Sequence, residues 1–464
     1  MMDLMEAAQA TGGRARNGED AGVFVGVSTD SRSIGAGELF VALRGENYDG
    51  HDYVAAALAQ GAAAAMVDAS WAEAHEAAAS GLALLVVADT RLALGELAAH
   101  WRAQFELPLI AITGSNGKTT VKEMCAAILR EQARRDGYDP DLAVLSTAGN
   151  LNNDIGMPMI LLRLRLVHRA AVIEMGMNHP GEIFYLTHIA RPTVAVVNNA
   201  QRAHLAGLGG LPEVARAKGE IFAGLREGGT AVINLDDPHA GLWRELAAGH
   251  RIVGFGLNDP GKADVAAHYL PRPFGGLLQL MTPQGQADIL LKLPGRHNAM
   301  NALAATAATL ALGVGLDAVA AGLSAYAGIK GRLQILRGQG GAALIDDSYN
   351  ANPDSVRAAI DVLAALPGKK ILVLGDMGEV GEAAAQIHDE IGGYAKSMGL
   401  DRLLALGEHG ATAARNFGGG GSHFNTVGAL LEVLRPLLDG QTTVLVKGSR
   451  FMKMERVTEA IVEK

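Results

Sequence analysis

At 464 residues the chain is too long for a single hydrophobic core, and at ~150 residues per domain it should divide into about three units. Hydrophobic residues at 49% against 19% charged exclude a largely disordered protein, and a formal charge of -9 leaves no global field to attract a polyanion such as nucleic acid. The single cysteine, Cys125, rules out an internal disulfide framework and fits a reducing, cytoplasmic setting.

The opening MMDLMEAAQATGGRAR carries acids and no long apolar stretch, so it does not read as a signal peptide. VFVGVSTDSR and ELFVAL read as strands divided by the turn-like IGAG; a helical run DYVAAALAQGA follows, then AAAMV, and LALLVVADT closes the first block. RLALGELAAHWRAQF has helical periodicity and leads to Pro108, which suits a connector. The second block opens with the apolar LPLIAIT and the loop ITGSNGKTT. In the run VKEMCAAILREQARR that follows, Val121, Met124, Cys125, Ile128 and Leu129 share one helical face. AAVIEMG, TVAVVNN and GGTAVINLD then alternate with helical runs such as PEVARAKGEIFAGL, the pattern of a parallel sheet with crossover helices. Asn298 to Leu316 lacks charge, but it is alanine-rich and holds Asn298, Asn301, two threonines and two late glycines, so it predicts a buried helix rather than a membrane span. The third block, from GIKGRLQILR, contains ALIDDSY, a helix from Pro353 to about Leu366, KKILVLGD, RLLALG and TTVLVKG, a second α/β sheet; NFGGGGSH reads as a flexible surface loop.

A glycine-rich loop between a strand and a helix presents unpaired N–H groups and the positive end of the helix dipole, which suits phosphate. Here Gly114, Ser115, Asn116 and Gly117 precede Lys118, which would reach terminal phosphates, and Thr119, whose hydroxyl suits magnesium; Thr120 completes the turn. Where the general pattern has its first glycine, Ile112 stands instead, with Gly114 two places later. Glu174, at the end of AAVIE, falls where a strand end would carry a magnesium-binding carboxylate, or a plain surface glutamate. His204 occupies a similar topological place, though a lone histidine is commonly a hydrogen-bonded residue without a ligand. Asp346 and Asp347 suit ribose or magnesium, or a turn cap before Pro353, and Lys218 within a helix is by default a solvated lysine. These residues amount to a magnesium-NTP enzyme of several α/β domains with an unspecified substrate.

TGSNGKTTVKEM, GNLNNDIGMP, IEMGMNHPGEI, VNNAQRAHLAGLG, AKGEIF, LPGRHNAMNALAA, GRL, DDSYNANPDS and LVLGDMGEVG together resemble the Mur ligase family over nearly the entire chain, and the shortened loop is the form that family uses. The resemblance implies a small α/β N-terminal domain over 1–87 that holds a UDP-linked substrate, a central P-loop ATPase domain with a parallel sheet over 88–328, and a C-terminal Rossmann-like domain over 329–464 that closes over ATP. It implies an ATP- and Mg2+-dependent ligase, acting as a cytoplasmic monomer without membrane or nucleic-acid partners. YNANPDS points to the branch that joins D-alanyl-D-alanine to UDP-N-acetylmuramoyl-tripeptide; a related ligase with another acceptor, or a regulatory P-loop NTPase, is the alternative. By resemblance Lys118, Glu174, His204 and Lys218 are catalytic, Thr119, Glu174 and His204 bind metal, and Lys218 is carbamylated to serve as an anionic metal ligand. Asn298 would contact adenine, Asp347 ribose and Arg332 phosphate. Ser28, Thr29, Asp30, Ser31, Arg32, Arg44 and Gly45 would hold the UDP end, and Asn150, Asn152 and Asn153 the muramoyl-peptide. Asn350, Asn352, Ser355, Lys447 and Ser449 would lie on the acceptor side.

Overall fold

A computed structural model describes residues 1–17, 22–77, 80–202 and 209–463. Three sheets follow one another along the chain. The first has five strands in the order Arg14–Arg16, Leu84–Val87, Ala64–Asp68, Glu38–Val41, Gly26–Ser28, parallel except at its first pair. VFVGVS does not run as one strand. Val23–Phe24 pairs with Met2–Asp3 in a separate ribbon, and only Gly26–Ser28 joins the sheet.

The central sheet has nine strands. Its order is Gly285–Leu291, Gly275–Thr282, Val265–Arg272, Arg251–Gly256, Thr230–Asn234, Val194–Val197, Leu109–Thr113, Ala170–Glu174, Val144–Ser146. The first three strands form an antiparallel meander and the remainder are parallel. Leu109–Thr113 is flanked on both sides, with Thr113 opposite Val197 and Ile112 opposite Glu174, so these carboxyl ends reach one rim of the sheet. In open α/β sheets that rim is where ligands bind.

The helix Lys118–Arg135 buries Val121, Met124, Cys125, Ile128 and Leu129, the face its sequence predicts. It packs against Arg296–Ala311 and Leu316–Ala325, and Gly322 allows the close approach, since a Cβ there would lie 2.7 Å from Ile128 Cα. Arg296–Ala311 is buried along nearly all its length, and no helix among the described residues is long and apolar enough to cross a membrane.

The third sheet has six strands in the order Gln334–Arg337, Ala343–Asp347, Thr442–Lys447, Lys369–Gly375, Arg402–Leu406, Gly421–Phe424, parallel except at its first pair. The glycine run expected to be a flexible loop is the entry to its edge strand. A Cβ at Gly421 would sit 2.2 Å from Ala414 O and one at Gly420 2.5 Å from Asp401 O, so the glycines let the strand pass close under a helix end rather than loosen it. The central hairpin Val265–Arg272/Gly275–Thr282 turns at Pro273–Phe274. Phe274 holds a left-handed φ of 57°, unusual for a bulky residue, and its ring packs against the core of the third sheet.

Arg102 is buried inside the packing between the first and central sheets. It donates to Ala190 O (3.1 Å), Phe105 O (2.5 Å) and Leu107 O (3.3 Å), and burial pushes its pKa down to about 10. Ala190 O ends the helix Glu182–Ala190, whose negative end favours a cation, and the other two carbonyls belong to the segment that follows helix Thr90–Ala103. Arg102→Leu leaves buried acceptors unpaired and should lower stability by ~1–3 kcal/mol, read as a lower urea midpoint at unchanged slope.

Candidate active site

A cleft of ≈ 1810 Å³ runs along the rim where the central strands end, walled on its far side by the third sheet's loops. The phosphate loop forms its floor. Gly117 caps the helix with φ 80°, and a Cβ there would lie 2.3 Å from Asn301 Oδ1 and 2.6 Å from Asn198 Nδ2, so only glycine fits. The residues after strand Val194–Val197 hold the loop in shape. Asn198 Nδ2 donates to Asn116 O (2.9 Å), Asn199 Oδ1 accepts from Asn116 N (2.9 Å), and Ser115 Oγ donates to Gln201 O (3.1 Å). The first-turn amides at 118–120 have no partner within the helix and line the cleft wall. Lys118 folds back on the loop, its Nζ donating to Gly114 O at 2.8 Å.

Glu174 is buried and fully engaged. Its Oε2 accepts from Thr119 Oγ1 (2.8 Å), its Oε1 from Asn152 Nδ2 (2.7 Å), and its backbone N–H donates to Thr147 Oγ1 (2.9 Å). Lys122, a buried lysine, braces this corner by donating to Thr147 O at 2.6 Å. The hydroxyl and carboxylate are hard oxygen donors side by side, which suits a nucleotide-bound magnesium drawing its other ligands from phosphate and water. Among the described residues no group of three or more His, Cys, Asp and Glu side chains is placed to hold a metal alone. His204 lies outside the described residues.

Lys218, expected by default to be solvated, points inward from helix Leu211–Gly219 and is 1% exposed. Burial drives its pKa well below the usual lysine value, and the positive charge of Lys118 pushes the same way. Lys118 is also lowered, by burial first, with Glu174 opposing and Arg332 adding to the effect. The floor therefore holds amines biased toward their neutral form.

Farther along the cleft Asn298 is buried and donates to Pro294 O (2.8 Å), while its Oδ1 accepts from Asn301 (3.3 Å). Asp347 accepts from Lys447 Nζ at 2.6 Å and from Leu333 N at 3.2 Å; burial raises its pKa and Lys447 opposes that rise. Lys447 also donates to Asn350 O (2.9 Å), and Ser449 Oγ spans Ala351 O (3.0 Å) and Gly378 N (2.8 Å). Asn352 caps helix Pro353–Ala364 with Ser355 in a capping box and also reaches across the cleft. Its Nδ2 donates to Asn116 Oδ1 (2.7 Å), beside an Arg202–Asp354 ion pair at 2.7 Å.

The structure thus brings together the loop, Glu174, Asn152, Asn298, Asp347 and Asn352; Asn150, Asn153, Arg332, Asn350, Ser355, Lys447 and Ser449 join them at the cleft, while Lys218 is buried behind the lining, near enough for the charge of Lys118 to act on it. It does not bring the N-terminal group there. Ser28, Thr29 and Ser31 lie at and beyond the end of strand Gly26–Ser28, where Asp30 is paired with Arg32 (Nε at 2.9 Å) and is held at about pKa 2 by that bond. Arg44 bridges Asp68 (2.8 Å) and Asp49 (2.6 Å), and Gly45 N donates to Tyr48 O, all away from the cleft. Sequence reasoning missed Tyr349, on whose ring Arg332 stacks at 4.3 Å, and the Arg91–Asp154 pair at the cleft rim. It also passed over His297, which stands in the quoted GRHN next to Asn298.

His297 lines the cleft, and burial, with Lys447 assisting, lowers its pKa from 6.5 to about 4. The unfolded imidazole takes up a proton as pH falls through 6.5, whereas the folded one stays neutral to about 4. Stability from this group is therefore complete above 6.5 and declines toward 4, by up to ~1.4 kcal/mol per pH unit. Urea midpoints measured over that range should fall less steeply in His297→Gln than in the parent.

Among known proteins, the family model "Mur ligase family, catalytic domain" matches residues 23–102, "Mur ligase middle domain" 112–309 and "Mur ligase, glutamate ligase domain" 331–450. The UDP-N-acetylmuramoyl-tripeptide--D-alanyl-D-alanine ligase of Escherichia coli K12 is 44% identical over 452 residues, 96% of each chain. That of Bacillus subtilis is 34% identical, covering 95% of this chain and 94% of its own. A crystal structure of MurF from Acinetobacter baumannii superposes with a TM-score of 0.89 at 38% identity, over 100% of this chain and 99% of that one. MurF from Thermotoga maritima in complex with ADP gives 0.80 at 26% identity, over 95% and 97%.

Proposed function

The chain belongs to the Mur ligase family, and from that premise we propose that it joins D-alanyl-D-alanine to UDP-N-acetylmuramoyl-tripeptide, with ATP converted to ADP and phosphate, in peptidoglycan precursor synthesis. The observation that carries this reading is the cleft itself. It joins a phosphate loop and a strand-end carboxylate on one wall to asparagines, a lysine and arginines of the third sheet on the other. A switch protein needs the first wall; a ligase needs both.

A carboxylate is a poor acyl donor in water, so the tripeptide carboxylate first attacks the γ-phosphorus and displaces ADP. The dipeptide amine then attacks the resulting acyl phosphate, forming the C–N bond as phosphate leaves and the amine proton is lost. Lys118 and the amides at 118–120 hold the transferring phosphoryl oxygens, and Arg332 adds positive charge from the third sheet. Magnesium, held by Thr119 and Glu174 with His204, supplies charge neutralisation on the phosphate oxygens when bound. The neutral amine of Lys218 is the reactive form for adding carbon dioxide, and the carbamate so made is an anionic oxygen ligand among cations. Asn298 faces the adenine, Asp347 the ribose, and Asn350, Asn352, Ser355, Lys447 and Ser449 the acceptor. Asn150, Asn152 and Asn153 receive the muramoyl-peptide, while the N-terminal set from Ser28 to Arg32, with Arg44 and Gly45, holds the UDP end. The corresponding functional division is 1–87, 88–328 and 329–464, the last closing over ATP.

Phosphate release from ATP should require both UDP-N-acetylmuramoyl-tripeptide and D-alanyl-D-alanine, with little turnover when single amino acids replace the dipeptide. Equal release without an acceptor would indicate an uncoupled NTPase instead. Lys218→Ala should be inactive and regain part of its turnover with added acetate; near-normal activity of the unassisted variant would remove Lys218 from the reaction.

A further inference from the structure

The acceptor dipeptide has two ends, and the residues assigned so far account for one. Its amine must approach the activated carbonyl near Lys118 and Arg332. Its other end is a carboxylate, which a desolvated cleft receives well only against a cation or several N–H donors. The third sheet offers the cleft Arg332, Lys447 and Arg450 as cations. Lys447 is buried and spent, its Nζ on Asp347 at 2.6 Å and on Asn350 O at 2.9 Å. Arg332, stacked on Tyr349 at 4.3 Å and lining the same cleft, is the cation already assigned to the phosphate end.

Arg450 is different on each count. Its Nη1 donates to Glu455 Oε1 at 2.8 Å, while Nε and Nη2, the edge that pairs bidentately with a carboxylate, have no protein partner among the described residues. The guanidinium lies over Tyr349 at 5.6 Å, the same ring that carries Arg332 at 4.3 Å. One aromatic ring therefore spaces a cation for the phosphate end from a cation for the acceptor's far end. The backbone before Arg450 is fixed as well, because the Ser449 hydroxyl is tied to Ala351 O and Gly378 N.

We propose that Arg450 is the specificity-determining residue that takes the C-terminal carboxylate of the acceptor dipeptide, with Tyr349 and Glu455 holding its guanidinium in place. The inference rests on the ligase reading above. It is tested by comparing kcat/KM for D-alanyl-D-alanine and for its C-terminal carboxamide in the parent, Arg450→Met and Arg450→Lys, with the KM for ATP measured alongside. The parent should prefer the free acid by ~10- to 100-fold, the ratio expected for a charge-assisted pair. Arg450→Met should bring the acid down to the level of the carboxamide through KM, with the KM for ATP held, and Arg450→Lys should restore part of the preference. A parent that uses acid and carboxamide equally, or an Arg450→Met that keeps the full preference, overturns the assignment of Arg450 and leaves the ligase reading intact. A parent that ligates neither dipeptide with the tripeptide overturns the ligase reading, and this inference with it.

Discussion

The active cleft depends on the register of two neighbouring parallel strands. Because Ile112 lies opposite Glu174, the loop that leaves one strand and the carboxylate that ends the other emerge together, and Thr119 Oγ1 meets Glu174 Oε2 at 2.8 Å. A slip of one residue would turn Glu174 to the other face of the sheet and separate the two oxygens. The surrounding structure is organised to prevent that. Thr147, itself braced by Lys122, fixes the Glu174 backbone, and Asn198 and Asn199 from the other flanking strand fix the loop.

Around that pair the protein places cationic side chains within reach of one another. Burial first, then the charge of Arg332 on Lys118 and of Lys118 on Lys218, lowers the pKa of both lysines, with Glu174 opposing the shift at Lys118. Such an arrangement is costly without a ligand and matched to one carrying phosphates. The third sheet faces the loop directly through Asn352 on Asn116 and Asp354 on Arg202, and Phe274 packs the central hairpin onto its core. Phosphate chemistry and acceptor binding are thereby set against each other across one cleft, the geometry a bond-forming enzyme requires.

Much of this was legible in the sequence because it is local. The strand–loop–helix around Lys118, the apolar face of the following helix and the strand end at Glu174 each follow from periodicity within a dozen residues, and the quoted motifs named the family. What was hidden depends on contacts far apart in sequence. Lys218 looks like a surface residue of its helix until the fold buries it to 1% exposure on the side of Lys118. The glycine run at 418–421 looks flexible until Gly420 and Gly421 are seen to leave no room for a Cβ against Asp401 O and Ala414 O. Tyr349 stands in the YNANPDS motif without showing its role, since its work is to carry two arginines, one of them about a hundred residues away. The N-terminal group from Ser28 to Arg32 was nameable by motif, yet its separation from the cleft is a matter of how whole sheets are arranged.

In the proposed reaction the loop holds ATP so that its γ-phosphoryl group passes to a carboxylate before any amide bond forms. Labelling the reacting tripeptide carboxylate with 18O and analysing the phosphate released on ligation tests this most directly. The account predicts that one labelled oxygen per peptide bond appears in inorganic phosphate, because the acyl phosphate breaks between carbon and oxygen. Unlabelled phosphate accompanying full amide formation would contradict it.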